Sequence, residues 1–190
     1  MTATITDHLP LPDRMAPPPV TRRSPTTMAL HWGAAAALVA AFGLGLLMED
    51  MPRGAARDTT MMVHYSLGTL VLAAATLRLL RRLLLPQPAS TGRGLTAMAA
   101  SAMHGALYLI MIALPMSGAM DRWARGRPLR LFGDNLIAPP FPIGGGKLWI
   151  EAHEVMAWTL VGLVAAHAGA ALWHHLVLKD GVLRRMLPVK

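Results

Sequence analysis

His153 and His167 stand fourteen residues apart inside one long apolar stretch. Fourteen residues is close to four helical turns, so both imidazoles leave one face of a helix, ~21 Å apart along its axis. Two further histidines, His31 and His64, lie near opposite ends of two other apolar segments. A neutral imidazole is a good axial ligand for haem iron. Four of them at two depths can supply two axial pairs, and the spacing predicts two haems stacked across a membrane.

The elements that carry these histidines must be membrane helices. The chain has 190 residues, 54% hydrophobic and only 15% charged, with a mean hydropathy of +0.42. A soluble domain carries about 25% charged residues. Four apolar runs, at about residues 28–48, 61–85, 95–120 and 148–178, are long enough to cross a ~30 Å hydrocarbon core. The expected fold is all-α, an integral membrane four-helix bundle holding two b-type haems. Residues 1–27, which include Pro17, Pro18 and Pro19, read as a disordered cytoplasmic arm. Residues 179–190 read as a basic cytoplasmic tail. Arg22 and Arg23 precede the first run with no small-residue cleavage site after it, as in an uncleaved signal-anchor. Pro115 is expected to kink the third helix near its outer end. The fourth run exceeds what a bilayer needs, so it should tilt or project.

Basic residues set the direction. With the N-terminus inside, the inner side holds eleven: Arg14, Arg22, Arg23, Arg78, Arg81, Arg82, Arg93, Lys179, Arg184, Arg185 and Lys190. The outer side holds seven: Arg53, Arg57, Arg122, Arg125, Arg127, Arg130 and Lys147. The prediction is N-in and C-in. The second outer loop, about residues 121–147, is the exception, with five basic and two acidic side chains. It reads as a structured cap over the bundle, or as a basic funnel for an anionic partner. Within it, Trp123, Arg125 and Arg130 are candidates for an outer substrate surface. The net charge of +8 does not indicate a nucleic-acid partner, because the basic residues cluster at the ends of apolar runs. Cysteine is absent. That removes disulfides, iron–sulfur clusters, thiolate zinc sites and covalent c-type haem attachment.

Depth decides which histidines pair. His31 lies about three residues inside the inner end of the first run, and His64 about three inside the outer end of the second. Their depths differ by roughly 20 Å in a ~30 Å core, matching the interval between His153 and His167. His64 and His153 therefore form the outer pair, and His31 and His167 the inner pair. His104 in the third run competes: it can replace His31 or His167, bond to a haem propionate, or bind a quinone carbonyl. His174 shares a face with His167 but overshoots the interval, and it reads with His175 as an interfacial anchor. Arg78 can snorkel to the interface or pair with a propionate of the inner haem. The many methionines read as packing. Gly33, Gly43, Gly45, Gly68, Gly105, Gly162 and Gly169 read as close helix contact or as room for a porphyrin edge, Gly68 sharing the face of His64.

These residues resemble the prokaryotic cytochrome b561 family. The likeness lies in Ala29-Leu30-His31-Trp32, in Met62-Val63-His64 and Leu77-Arg78-Leu79-Leu80, and in His104 followed by Ile112-Ala113-Leu114-Pro115. It continues in Arg125-Gly126-Arg127-Pro128, Phe132-Gly133, Trp149, His153-Glu154, Gly162, His167, His174-His175 and Lys179-Asp180. It covers about residues 24–188. The resemblance implies two haem b groups, the outer on His64 and His153 and the inner on His31 and His167. It implies a multi-pass protein of the bacterial inner membrane that exchanges electrons with ubiquinone. One member suggests superoxide as the periplasmic-side donor; another periplasmic redox donor would serve the same role. The alternative is a cytochrome b subunit that docks a dehydrogenase or hydrogenase and passes its electrons to quinone. A haem sensor or structural membrane protein is a third reading.

Overall fold

A computed structural model describes residues 23–85, 94–133 and 135–187. Its elements are α1 (Pro25–Glu49), α2 (Ala55–Leu84), α3 (Leu95–Ala124), β1 (Leu129–Leu131), β2 (Asn135–Ile137) and α4 (Leu148–Trp173). A π turn, His174–Leu178, and a short 3-10 turn, Leu183–Met186, follow. The four helices are long and apolar enough to cross a membrane, and the fold is a four-helix transmembrane bundle. In hydrocarbon every backbone N–H and C=O must be paired internally, and continuous helices meet that demand.

Helix limits differ from the apolar runs where capping and polar residues extend them. α1 begins at Pro25, inside the segment expected to be arm. Ser24 caps it by accepting the Thr27 N–H at 3.3 Å, and proline fits the first helical turn. The rest of the expected arm, residues 1–22, lies outside the described residues. α2 begins at Ala55, before the apolar run, with Asp58 in its first turn where a carboxylate meets the helix dipole favourably. Arg57 closes the α1–α2 turn by donating to the carbonyls of Met48 and of Met51, the latter at 2.8 Å. α3 runs through Pro115 and on to Ala124. Its projecting end is held by Arg125 and Asp121, one turn apart at 2.8 Å.

α1 packs on α2, α2 on α3, and α3 on α4. α1 meets α4 through Phe42 and Trp158, ring centres 5.4 Å apart. The buried core is small: Ala34, Val71, Ala75, Met111 and Leu160. It sits at mid-height, and Leu160 lies seven residues from each histidine of α4. The helices therefore meet most closely between the two levels at which the histidines stand.

The second loop is a cap, and it contains strand structure that the all-helical expectation lacked. β1 and β2 pair antiparallel, with Leu129 opposite Ile137 and Leu131 opposite Asn135. Leu129 and Leu131 are buried, and β1 packs on α2. At the turn, Phe132 holds a φ of 46°, a conformation that costs a non-glycine residue energy. Its N–H donates to Ser66 Oγ at 2.8 Å. The Gly133 N–H meets Met62 Sδ at 3.4 Å, and Trp123 Nε1 donates to the Ile137 carbonyl at 3.1 Å. At the other end of the bundle the tail folds back on α1. Trp32 Nε1 donates to the Met186 carbonyl at 2.7 Å, and the Arg23 N–H to Arg185 at 3.2 Å. Burial pushes the Asp180 carboxyl slightly up, but hydrogen bonds from His174 and the Val182 N–H outweigh it and hold it below the usual carboxylate range.

The Ser66 latch is open to test. Ser66→Ala leaves the Phe132 N–H without its acceptor, at a cost of about 1–3 kcal/mol. Hydrogen exchange at residues 129–137 is expected to accelerate while exchange in the four helices stays unchanged.

Candidate functional site

Two imidazole pairs span the bundle. His64 of α2 faces His153 of α4 with ring centres 6.1 Å apart. His31 of α1 faces His167 of α4 at 6.3 Å. Along α4 the two levels are ~21 Å apart. The pairs at the hairpin end and at the terminal end are those that the depth argument put together.

The nitrogens at the hairpin end are set by backbone. His64 Nδ1 donates to the Ala41 carbonyl at 2.8 Å. His153 Nδ1 donates to the Leu114 carbonyl at 3.0 Å, with Ser117 Oγ at 3.2 Å. An Nδ1–H committed to a carbonyl leaves Nε2 as the free lone pair, which is how a metal-ligating histidine is oriented. Glycines let the neighbouring helices come close: a Cβ on Gly118 would stand 3.1 Å from the His153 ring, and one on Gly45 would stand 3.6 Å from the His64 ring. At the terminal end His31 Nδ1 is buried without a hydrogen-bond partner among the described residues.

This geometry suits a metal that brings equatorial ligands of its own. Two imidazoles on opposite sides of one metal, with metal–nitrogen bonds of about 2.0–2.1 Å, place their ring centres about 6–6.5 Å apart. Both pairs lie in that range. Among the described residues no group of three or more His, Cys, Asp or Glu side chains converges on a metal-sized site. Each pair also bridges helices that are not close packing partners, α2 with α4 and α1 with α4, so a flat macrocycle can lie between them. The donor set therefore fits haem.

His104 stands closer to His167 than His31 does, at 5.5 Å between ring centres. That separation is short for two rings sandwiching one metal, and α3 and α4 are packed neighbours. His104 is thus beside the terminal-end pair, in position to contact a bound group. Arg78 lies over an aromatic ring. Its guanidinium lies 5.8 Å from the Tyr108 ring centre, and that of Arg82 lies 6.0 Å away, so two cations share one aromatic near the same pair. His174 is engaged with Asp180 and takes no part in either pair.

Sequence reasoning missed Ala41, Leu114, Ser117 and Gly118, because a carbonyl acceptor and a small contact have no chemical signature of their own. Gly118 was the one with a faint signal, a glycine in the outer third of an apolar run. Of the glycines that were noted, Gly33, Gly43, Gly105, Gly162 and Gly169 make no close helix contact. Trp123 donates to the Ile137 carbonyl and Arg125 pairs with Asp121, while Arg130 lines a cavity with Asp58, Met61, Met62, Tyr65 and Arg122.

Comparison with known proteins agrees with this architecture. Residues 22–189 match the family model described as prokaryotic cytochrome b561. The chain is 32% identical over 164 residues to cytochrome b561 homolog 2 of Escherichia coli, covering 84% of this chain and 87% of that protein. It is 32% identical over 178 residues to cytochrome b561 homolog 1 of Escherichia coli, covering 88% and 97%. It is 31% identical over 173 residues to the probable superoxide oxidase CybB of Yersinia pestis, covering 85% and 93%.

Replacing each histidine separates ligands from neighbours. Haem per purified chain, measured as the pyridine haemochrome, is expected to fall by about half in His64→Ala, His153→Ala, His31→Ala and His167→Ala, since an iron deprived of one axial imidazole is held far less firmly. His104→Ala should keep the full complement. Loss of haem in His104→Ala with retention in His31→Ala would exchange their roles.

Proposed function

The chain belongs to the prokaryotic cytochrome b561 family, as a membrane cytochrome b of electron transfer, and on that premise we propose that it carries electrons from superoxide on the periplasmic side of the bacterial inner membrane to ubiquinone. The proposed cofactors are two haem b groups, one on His64 and His153, the other on His31 and His167. The observation that carries this reading is the pair of imidazole sandwiches, at 6.1 and 6.3 Å, set at two heights of one helix. The likeness to a probable superoxide oxidase and the basic outer loop support the choice of donor.

Haem b, when bound, would supply reversible one-electron iron chemistry, and His64 with His153 and His31 with His167 would hold it. The rest is the work of the chain. The carbonyls of Ala41 and Leu114 fix the orientation of His64 and His153, so little rearrangement accompanies a change of charge between them. Ala34, Val71, Ala75, Met111 and Leu160 fill the middle of the bundle with buried apolar side chains. At the terminal end Arg78 and Arg82 supply positive charge suited to propionate carboxylates. His104, beside His167, is placed to bond a propionate or a quinone carbonyl. The reaction balances: two superoxide anions leave as dioxygen, and their two electrons, with two protons, convert one ubiquinone to ubiquinol.

The test uses purified protein in detergent with a soluble ubiquinone analogue and a continuous source of superoxide. Quinol is expected to form with dioxygen and without hydrogen peroxide, and only with protein present. A protein that is reduced by quinol yet inert to superoxide, and that co-purifies with a dehydrogenase or hydrogenase, would replace this reading with that of a docking subunit.

A further inference from the structure

At the hairpin end the two imidazoles are oriented by carbonyls of neighbouring helices, Ala41 for His64 and Leu114 for His153. At the terminal end His31 Nδ1 has no such acceptor among the described residues. His31 and His167 stand on α1 and α4, which are not close packing partners. The ring contact between those helices, Phe42 with Trp158, lies eleven residues from His31, ~16 Å along α1. A second tie between them stands at the terminal end itself. We propose that the C-terminal segment, residues 180–187, is a strap that ties the end of α4 to the start of α1, and that Trp32, which it grips, is a positioning residue for the His31–His167 pair. What the pair positions rests on the haem reading above; the strap itself does not.

Each link of the strap is a hydrogen bond or a turn. α4 ends in the π turn His174–Leu178. Lys179 then takes a φ of 53° and Gly181 one of 76°, and these left-handed residues reverse the chain. The reversal is fastened to α4: the Asp180 N–H donates to the His174 carbonyl at 3.4 Å, and the Asp180 carboxylate holds the His174 ring. It is also fastened to itself. The Val182 N–H donates to Asp180 Oδ1 at 3.1 Å, and the Arg185 N–H to the Gly181 carbonyl at 3.3 Å. The 3-10 turn Leu183–Met186 then meets the start of α1 twice. Trp32 Nε1 donates to the Met186 carbonyl at 2.7 Å. The Arg23 N–H, ahead of the Ser24 cap, donates to the Arg185 carbonyl at 3.2 Å.

Trp32 carries the constraint inward. It follows His31 in the chain, and the two ring centres are 5.1 Å apart with planes at 76°. An indole has two side-chain torsions, and a hydrogen bond from Nε1 to a fixed carbonyl holds both. The imidazole of His31 therefore lies against a ring that is itself held, which limits the rotamers open to it. His167, the other member of the pair, stands seven residues before His174, ~10 Å along α4. The strap thus begins two helical turns from one imidazole and ends against the neighbour of the other. A tryptophan at a membrane interface also serves as an anchor, but an anchor needs only headgroups and water for its N–H and has no need of a carbonyl from the same chain.

Two variants open the strap at separate places in the full-length, haem-loaded protein. Trp32→Phe keeps an aromatic ring beside His31 and removes the donor. Gly181→Val puts a β-branched side chain at a φ of 76°, where it is strained, and leaves Trp32, His31 and His167 untouched. Amide exchange over residues 180–187 is expected to quicken about three- to tenfold in both; protection unchanged in both overturns the strap. The low-spin ferric signal in electron paramagnetic resonance reports the angle between two axial imidazole planes, and the midpoint potential reports their surroundings. Both are expected to shift for the haem on His31 and His167 and to stay as in wild type for the haem on His64 and His153. The double variant should shift no further than the larger single change, because both break one tie. A shift in Trp32→Phe without one in Gly181→Val, its tail released, would mean that Trp32 acts alone and would overturn the strap's part in positioning. Should Gly181→Val fail to fold, Asp180→Ala opens the same turn at its fastening to α4 and is read in the same way. A wild type without bis-imidazole signals overturns the haem reading and the positioning role together, whereas wild-type signals with unshifted variants overturn the role alone.

Discussion

An imidazole inside hydrocarbon is costly unless its polar atoms are engaged, and the bundle is organised around meeting that cost. His64 belongs to α2 and gives its Nδ1 proton to Ala41 of α1. His153 belongs to α4 and gives its own to Leu114 of α3. Each acceptor thus lies on the helix that precedes the histidine's own in sequence and packs against it. The chain forms two pinned helical hairpins, α1–α2 and α3–α4, each presenting an imidazole with Nε2 left free. Bringing the hairpins together sets those rings 6.1 Å apart. The spacing of the proposed ligands is in this way a property of helix packing, and it does not depend on the choice of a single flexible side chain.

The same arrangement explains why the core is small and central. A bundle that holds the two proposed flat groups, one at each level, can close only between them. Leu160, 2% exposed, occupies that waist on α4 with Val71 and Ala75 of α2. α4 alone contributes to both pairs, and its helical run from His153 to His167 sets their ~21 Å separation. The remaining helices need only match one height each, which is why His31 and His64 can stand on different helices at opposite ends.

How much of this was readable depended on whether the signal was periodic. Helix number, the two heights and the pairing of His64 with His153 and of His31 with His167 follow from residue counting along apolar runs. The hairpin did not announce itself, since its strands are three residues each and are held by contacts across sixty-six positions, Phe132 to Ser66. Helix ends were displaced where polar residues continue a helix beyond hydrocarbon, as in α2 from Ala55. His104 shows the limit of depth matching. Height alone cannot separate it from His31, and the distinction comes from which helices pack and from a difference between 5.5 and 6.3 Å.

The two ends of the bundle differ in a way that matches the physical state of what each is proposed to meet. Superoxide travels in water, and the hairpin end carries a tied cap and a small cavity. A quinone travels in lipid and must enter between helices, so a cap of that kind would obstruct it. At the terminal end Trp32 holds the Met186 carbonyl, and a π turn precedes Asp180. What it offers instead lies between helices: His104 on α3, Arg78 and Arg82 on α2, and the His31–His167 pair. A small cavity under a cap, and a set of cations and imidazoles on neighbouring helices, suit a donor carried in water and an acceptor carried in lipid. The chain places them at opposite ends of one helix that contributes a histidine at each.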